Sequence, residues 1–159
     1  MDLSGYVRCM ADIRLFRETF ETHLGRPPEE VWSFLVDLPA TPRWRKHLQS
    51  VGWIDDGETR VGRRFTVVSS FAWWPKLGMQ GEVTAHEPPE RFSYRITEGP
   101  LRAENEYRIQ PDGEGGTIFT MTGSAGMSST VMRLVGPAIA SAYTRTTRQE
   151  LRRLGEILA

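Results

Sequence analysis

The chain has 159 residues, and its 20 lysine and arginine residues balance its 20 aspartate and glutamate residues. This length fits one domain, and the hydrophobic (39%) and charged (25%) fractions are those of a protein that folds on its own. The zero net charge argues against nucleic acid and anionic membrane surfaces as partners, and charged residues interrupt the apolar stretches well before the roughly 20 residues of a membrane span.

The N-terminal segment is predicted to be a tail followed by a strand. Residues 1–12 mix polar and apolar types without a period and carry no signal-peptide pattern, so a tail and a cytoplasmic location are expected. Within residues 13–24, Phe16, Phe20 and Leu24 share one parity. That alternation predicts a strand buried on one face.

Two short helices are predicted after this strand. Residues 26–30 (RPPEE) end the strand and introduce the first helix, because proline is tolerated in a first helical turn and carboxylates favour the helix N-terminus. This helix is predicted to run through Val31, Trp32, Phe34 and Leu35. Residues 37–39, which include a proline, close it. The second helix is predicted to begin at residues 41–42, a threonine cap followed by proline, and to carry Trp44 and Leu48.

Six further strands are predicted between residues 51 and 125, each bounded by residues that favour turns, such as Asp56-Gly57 and Gly99-Pro100. Connections this short favour antiparallel neighbours, so the sheet is predicted to be a meander. The predicted strands are Val51 to Ile54, Arg63 to Phe71, Met79 to His86, Phe92 to Thr97, Leu101 to Ile109 and Thr117 to Ala125.

A long C-terminal helix is predicted over about residues 129 to 158 from apolar spacings of three and four. Such a helix would be roughly 45 Å long, which is enough to cross a sheet. The apolar stripe consists of Val131, Leu134, Val135, Ala138, Ala142, Leu151, Leu154 and Leu158.

The element order and several short segments resemble those of one superfamily. The segments are PPEEVWSFLVD at 27–37, PRW at 42–44, VG at 61–62, EPPERF at 87–92 and GT at 116–117. Over about residues 14–158 the chain resembles the START-like or SRPBCC superfamily, and within it the bacterial polyketide cyclase/dehydrase branch. The resemblance implies one α+β domain over residues 13–159 with the helix-grip fold. In that fold a curved seven-stranded antiparallel sheet, two short helices after strand 1 and a long C-terminal helix enclose a cavity.

No motif in the sequence predicts a metal or a cofactor. Residues 86–90 (HEPPE) lack the second histidine of a zinc protease motif, and His23 and His47 are isolated. The glycine-rich residues 113–116 lack the lysine of a phosphate loop and lead into a predicted strand. Residues 128–129, both serine, are interpreted as a helix cap.

The parity of the strands predicts which side chains form the cavity wall. If Phe20 faces inward, residues of the same parity on its own strand and their counterparts on the other strands do so too. Trp73 and Trp74 adjoin Pro75 in a loop that the resemblance places at the cavity mouth. The predicted ligand-binding residues are Phe16, Phe20, Phe65, Val67, Trp73, Trp74, Met79, Val83, Phe92, Asn105, Phe119, Met121, Met132 and Ile139.

Glu18 is the polar exception on the inward parity of the first strand. A carboxylate among phenylalanines is poorly solvated unless it is paired, which would suit a general acid or a polar anchor. A bulge that turns Glu18 into solvent is the alternative. Together with Glu18, the candidate catalytic residues are Tyr94, Tyr107 and Tyr143.

These observations allow three functions. The leading hypothesis is a carrier that binds a small hydrophobic molecule such as a polyketide, lipid or isoprenoid. The second is an aromatase/cyclase-like enzyme that assists aldol condensation and dehydration, which needs proton transfer in a dry pocket. The third is a chaperone-like module whose groove takes a segment of a partner protein. The sequence fits a monomer and a homodimer equally.

Overall fold

The computed structural model describes residues 13–70, 76–127 and 131–159, with side chains over residues 16–70, 76–126 and 136–159. Seven strands, two α-helices and a 3₁₀ helix make up the described chain. They are β1 (Ile13–Leu24), α1 (Pro28–Val36), the 3₁₀ helix (Leu38–Arg43), β2 (Leu48–Trp53), β3 (Arg64–Ser69), β4 (Leu77–Glu87), β5 (Arg91–Glu98), β6 (Arg102–Pro111), β7 (Thr117–Met127) and α2 (Val131–Ile157).

The seven strands form one antiparallel sheet in the order β1-β7-β6-β5-β4-β3-β2. Strands β2 to β7 form the predicted meander, and β1 joins it at the far edge beside β7. Because β1 and β2 lie at opposite edges, α1 and the 3₁₀ helix carry the chain from one edge to the other. This arrangement confirms the predicted α+β helix-grip fold.

Irregular pairing and a buried glycine mark where the sheet departs from a flat ladder. Register shifts occur once in the β1–β7 pair, once in the β2–β3 pair and twice in the β4–β5 pair, and such bulges bend strands. Gly81 of β4 is buried, and a Cβ there would lie 2.6 Å from the carbonyl oxygen of Arg95 and 2.5 Å from the ring of Phe65. Glycine at this position therefore permits a close approach of β4, β5 and the Phe65 ring.

The core lies between the sheet and the helices. On α2, Leu151 and Leu154 are buried, as the apolar stripe predicts, and so is Leu158 directly after the helix. On α1, Val31 and Leu35 are also buried. These helix residues pack in one cluster with buried aromatic side chains, which include Trp32, Trp44, Phe65, Phe92, Tyr107 and Phe119.

The predicted second helix differs from the structure. It is a 3₁₀ helix that starts at Leu38, not at residues 41–42; Trp44 caps its end, and Leu48 begins β2. Two prolines within its six residues have no backbone N–H, so a regular α-helical ladder is not available. The Trp44 N–H instead donates to the carbonyl of Thr41 at 3.1 Å.

The described strands are longer than predicted at several ends. Strand β4 begins at Leu77 and ends at Glu87, beyond the predicted bounds at both ends, while β6 begins one residue later than predicted, at Arg102. Trp73 and Trp74 lie outside the described residues. No helix among the described residues is both long and apolar enough to cross a membrane.

Candidate functional site

A cavity of about 160 Å³ lies between the sheet and α2. Its wall is mostly apolar, and every strand of the sheet contributes to it. The 3₁₀ helix adds Leu38, and α2 adds Ile139 and Ala142. Wall residues that the parity argument did not predict include Leu48, Val51, Leu77, Ile96 and Leu101.

The polar end of this cavity is organised around Arg45, which is only 3% exposed. Arg45 lies in the turn that joins the 3₁₀ helix to β2: its N–H donates to the Thr41 carbonyl at 2.9 Å, and its carbonyl accepts from the Leu48 N–H at 3.1 Å. From there the guanidinium Nη1 donates to the Tyr94 hydroxyl at 3.0 Å and to Asn105 Oδ1 at 3.4 Å. The turn thus directs the Arg45 guanidinium towards β5 and β6.

Glu150 of α2 is the anionic partner of Arg45. Its Oε2 lies 3.4 Å from Arg45 Nε, and the carboxylate is 2% exposed. Its Oε1 lies 2.6 Å from Nδ1 of His47 and 3.4 Å from the His47 backbone nitrogen. Burial alone would raise the pKa of Glu150, but the His47 hydrogen bond and the charge of Arg45 outweigh it and leave the pKa lowered.

His47 is held in one tautomer by this contact. Burial lowers the pKa of His47 below its usual value of 6.5, more than the hydrogen bond to Glu150 raises it, and the charge of Arg45 lowers it further. The imidazole is therefore neutral at pH 7 while Glu150 is ionised. Because a carboxylate oxygen can only accept, Nδ1 carries the proton and Nε2 has the lone pair. His47 also lines the cavity.

Three tyrosines surround Arg45, and the pKa values of two of them are raised. The Tyr94 and Tyr107 hydroxyls are 3.1 Å apart, so Tyr107 stands behind Tyr94 in the network. Burial raises the pKa of Tyr107 well above 10, and burial likewise raises the pKa of Tyr143. The Tyr107 and Tyr143 hydroxyls therefore keep their protons and can donate hydrogen bonds at neutral pH.

Tyr143 projects from α2 into the cavity, and its hydroxyl lies against Gly123 of β7. Its ring stacks on Phe16 of β1 with the ring centroids 4.2 Å apart. A Cβ on Gly123 of β7 would overlap the Tyr143 hydroxyl and would lie 3.4 Å from Asn105 Oδ1. Glycine at position 123 thus makes the space in which the ends of Tyr143 and Asn105 converge.

Two buried hydroxyls in the cavity wall have no hydrogen-bond partner of good geometry among the described residues: Tyr143 Oη and Ser69 Oγ. Thr147 lies one turn along α2 and lowers the pKa of Tyr143, but by less than burial raises it. A buried hydroxyl without a partner is costly, so such groups mark positions where a bound molecule can supply a partner.

The structure places the sequence-predicted site residues in three groups. The first group lines the cavity: Phe16, Phe65, Val67, Met79, Tyr94, Asn105, Ile139 and Tyr143. The second group does not line it and packs against or within the core: Phe20, Val83, Phe92, Tyr107, Phe119 and Met121. Trp73, Trp74 and the side chain of Met132 lie outside the described residues.

Glu18 also lies outside the cavity lining, which corrects its expected position. It faces α2 on the inward parity of β1, but its Oε2 accepts a hydrogen bond of 2.6 Å from the Thr144 hydroxyl. The half-buried carboxylate therefore has a hydroxyl partner and is not enclosed among phenylalanines alone. Glu18 is thus neither a carboxylate enclosed among phenylalanines nor one turned into solvent by a bulge.

Sequence reasoning missed Arg45, His47 and Glu150. One signal could have found Glu150: it continues the buried spacing of Tyr143 and Thr147 towards Leu154 along α2. A glutamate on a buried helical stripe requires a buried cation or donor. His47 was interpreted as isolated because its partner is 103 residues away in sequence.

Residues 16–159 match the model of a family described as polyketide cyclase / dehydrase and lipid transport. The chain belongs to this family. The predicted membership in the START-like superfamily and its polyketide cyclase branch is thereby confirmed. A comparison with curated proteins finds no match.

Solved structures with the same fold include members of this superfamily. The Zhui aromatase/cyclase from Streptomyces sp. R1128 is 12% identical with a TM-score of 0.75, over 90% of this chain and 93% of that one. A START superfamily protein from Mycobacterium smegmatis is 13% identical with a TM-score of 0.75, over 89% and 96%. A protein from Thermus thermophilus is 19% identical with a TM-score of 0.74, over 89% and 95%. At these identities the likeness concerns the fold.

Proposed function

We propose that the protein binds a small hydrophobic molecule in the cavity and orients it by the polar end around Arg45. The observation that carries this proposal is an apolar wall that meets a buried polar cluster with unsatisfied hydroxyls. Pockets of this composition are typical of small-molecule sites, in which apolar area supplies affinity and a few polar groups fix orientation.

The size of the cavity suits a small ligand. Its volume of about 160 Å³ is close to that of an engineered cavity of about 150 Å³ that takes up benzene. Each Å² of apolar surface removed from water contributes about 25 cal/mol. A ring system or a short branched chain of an isoprenoid or polyketide would therefore gain most of its affinity from the wall, while a longer molecule would extend past it.

Native mass spectrometry of the freshly purified protein tests this proposal, because a retained ligand appears as a defined added mass. A matched pair of variants gives the control. Ala142→Leu narrows the cavity from α2, whereas Ala138→Leu adds the same side chain at an exposed position of the same helix. Loss of the added mass in the first variant alone supports the proposal, and equal retention in both contradicts it.

A polyketide aromatase/cyclase-like activity is the second candidate, and the His47–Glu150 contact favours it. A neutral imidazole oriented by a carboxylate is a common general base, and the neighbouring phenols can donate protons. The contact is short at 2.6 Å, and both His47 and Tyr94 line the cavity. His47→Asn keeps a side-chain amide donor for Glu150 and removes the base. If a cyclisation of a poly-β-ketone proceeds on the wild type and persists in His47→Asn, this role is excluded.

The cytoplasmic location expected from the sequence stays a prediction, as does the choice between monomer and homodimer.

A further inference from the structure

The charges at the polar end of the cavity balance one another. Arg45 is the one charged side chain in the described cavity lining, and Glu150 lies behind it with the two charged groups 3.4 Å apart. His47, the other titratable neighbour of Glu150, is neutral at pH 7, and Tyr107 and Tyr143 are protonated. The site as a whole therefore has no net charge to offer a ligand.

An anionic ligand would be poorly accommodated in such a site. A carboxylate that enters an apolar cavity loses its hydration, and this cost is recovered only when an uncompensated cation and several donors meet it. Arg45 already has Glu150 as its counterion, and its Nη1 already donates to Tyr94 and Asn105. A second anion would also lie close to Glu150, and the two like charges would repel each other.

The unpaired groups in the cavity point to the opposite kind of ligand atom. Tyr143 Oη and Ser69 Oγ are buried and unpaired among the described residues, and each can donate a hydrogen bond. A pure hydrocarbon would leave both without a partner. An acceptor oxygen on an otherwise apolar molecule would accept a hydrogen bond from at least one of these hydroxyls, and no additional charge would be buried.

We propose that the preferred ligand is an uncharged apolar molecule with a carbonyl-type acceptor oxygen, such as a ketone or ester, and that the Tyr143 hydroxyl donates to this oxygen. This inference rests on the proposed ligand-binding function and narrows its ligand class. It separates neutral carbonyl compounds from free fatty acids and other carboxylates, which the apolar wall alone would not distinguish.

Three probes of one size and shape test the proposal. Acetophenone carries the ketone, benzoate replaces its methyl group and carbonyl by a carboxylate, and α-methylstyrene replaces the carbonyl oxygen by a methylene. Binding is measured by isothermal titration calorimetry at pH 7.5 on the full chain. We expect acetophenone to bind about threefold to tenfold more tightly than α-methylstyrene, the effect of one net hydrogen bond. Benzoate is expected to bind at least about tenfold more weakly than acetophenone.

Two variants and one control assign the effect to its residues. Tyr143→Phe should remove the advantage of acetophenone over α-methylstyrene. Thr84→Val is the control, because it removes a hydroxyl that bonds to Ser93 and lies outside both the cavity lining and the network around Arg45. Glu150→Gln removes the counterion of Arg45 and should shift preference towards benzoate.

The outcomes separate the two proposals. If α-methylstyrene binds and acetophenone gains nothing over it, or if benzoate binds as tightly as acetophenone, the inferred ligand class is wrong while the cavity still binds ligands. If none of the three binds to the wild type, the proposed function fails and the inference fails with it. An unchanged ketone advantage in Tyr143→Phe overturns the assignment to that hydroxyl. Because the three-probe comparison uses the wild type, it stands even if Glu150→Gln does not fold.

Discussion

Arg45 and Glu150 form a buried ion pair that joins the sheet side of the cavity to α2. Their charged groups are 3.4 Å apart, and the two side chains are 3% and 2% exposed. Each also has further partners: Tyr94 and Asn105 for Arg45, and His47 for Glu150. A buried ion pair needs such additional hydrogen bonds to offset the free-energy cost of desolvating its two charges.

Removing only the cation should therefore destabilise the fold strongly. Arg45→Met leaves the Glu150 carboxylate buried opposite an apolar side chain, and we expect a loss of about 3 to 5 kcal/mol in the free energy of unfolding. The double variant Arg45→Met/Glu150→Leu removes both charges and should recover much of that loss. Urea denaturation measures all three proteins, and a double variant that is no more stable than Arg45→Met contradicts this account.

Stability should fall as the pH is lowered from 7 to 5. The folded-state pKa values of both His47 and Glu150 are lowered, so the unfolded chain binds more protons and the stability rises with pH. The His47 contribution is lost first, as the pH falls below about 6.5, and the Glu150 contribution follows in the carboxylate range near pH 4. His47 faces Glu150 and Arg45, and both charges remain over the first of these ranges.

The variant His47→Asn isolates the first part of this pH dependence. The melting temperature of the wild type should decrease more steeply between pH 7 and pH 5 than that of His47→Asn, because the variant cannot take up the proton. His23→Asn, at an exposed position of β1, is the control and should follow the wild type. Parallel curves for wild type and His47→Asn would show that other groups govern acid stability.

The sequence predicted the architecture well and the polar end of the cavity poorly. Alternation over β1 and the three-four spacing of α2 are local patterns, and both elements were confirmed. The contacts of Arg45 are not local: its partners come from β5, β6 and α2. Strand parity selected Phe92 and Phe119 together with true cavity residues, because parity gives the face of a sheet and not the depth along it. At Phe92 the space is filled by Trp32 of α1, whose ring centroid lies 6.2 Å from that of Phe92.

Gly123 and Tyr143 should be energetically coupled. Gly123→Ala places a methyl group where the Tyr143 hydroxyl lies, and we expect it to cost about 1 to 3 kcal/mol through overpacking. Tyr143→Phe alone removes a buried hydroxyl without a good partner and should leave stability unchanged or slightly raised. In the double variant, the cost of Gly123→Ala should be smaller than in the wild-type background. A double-mutant cycle by chemical denaturation measures this coupling, and strict additivity would disprove the contact.

The contribution of α2 to the core can be measured at Leu154, which is fully buried. Leu154→Ala should lower the free energy of unfolding by about 2 to 5 kcal/mol, the sum of lost burial and the cavity that remains. Arg153→Ala is the neighbouring control on the exposed face of the same helix and should stay within about 0.5 kcal/mol of the wild type. Similar melting curves for both variants would mean that α2 does not pack as described.

The position of β1 beside β7 has a consequence for the time course of folding. Thr19 and Thr122 are hydrogen-bonded neighbours across these strands although 103 residues separate them. At about 5 to 20 residues per second, a ribosome makes β1 some 5 to 20 s before β7 exists to pair with it. During that interval Phe16 and Phe20 have no strand partner, and an unpaired strand edge with apolar side chains is prone to aggregation. The pairing of β1 therefore waits until β7 has been made, so β1 is exposed as an unpaired strand for most of the time in which the sheet is synthesised.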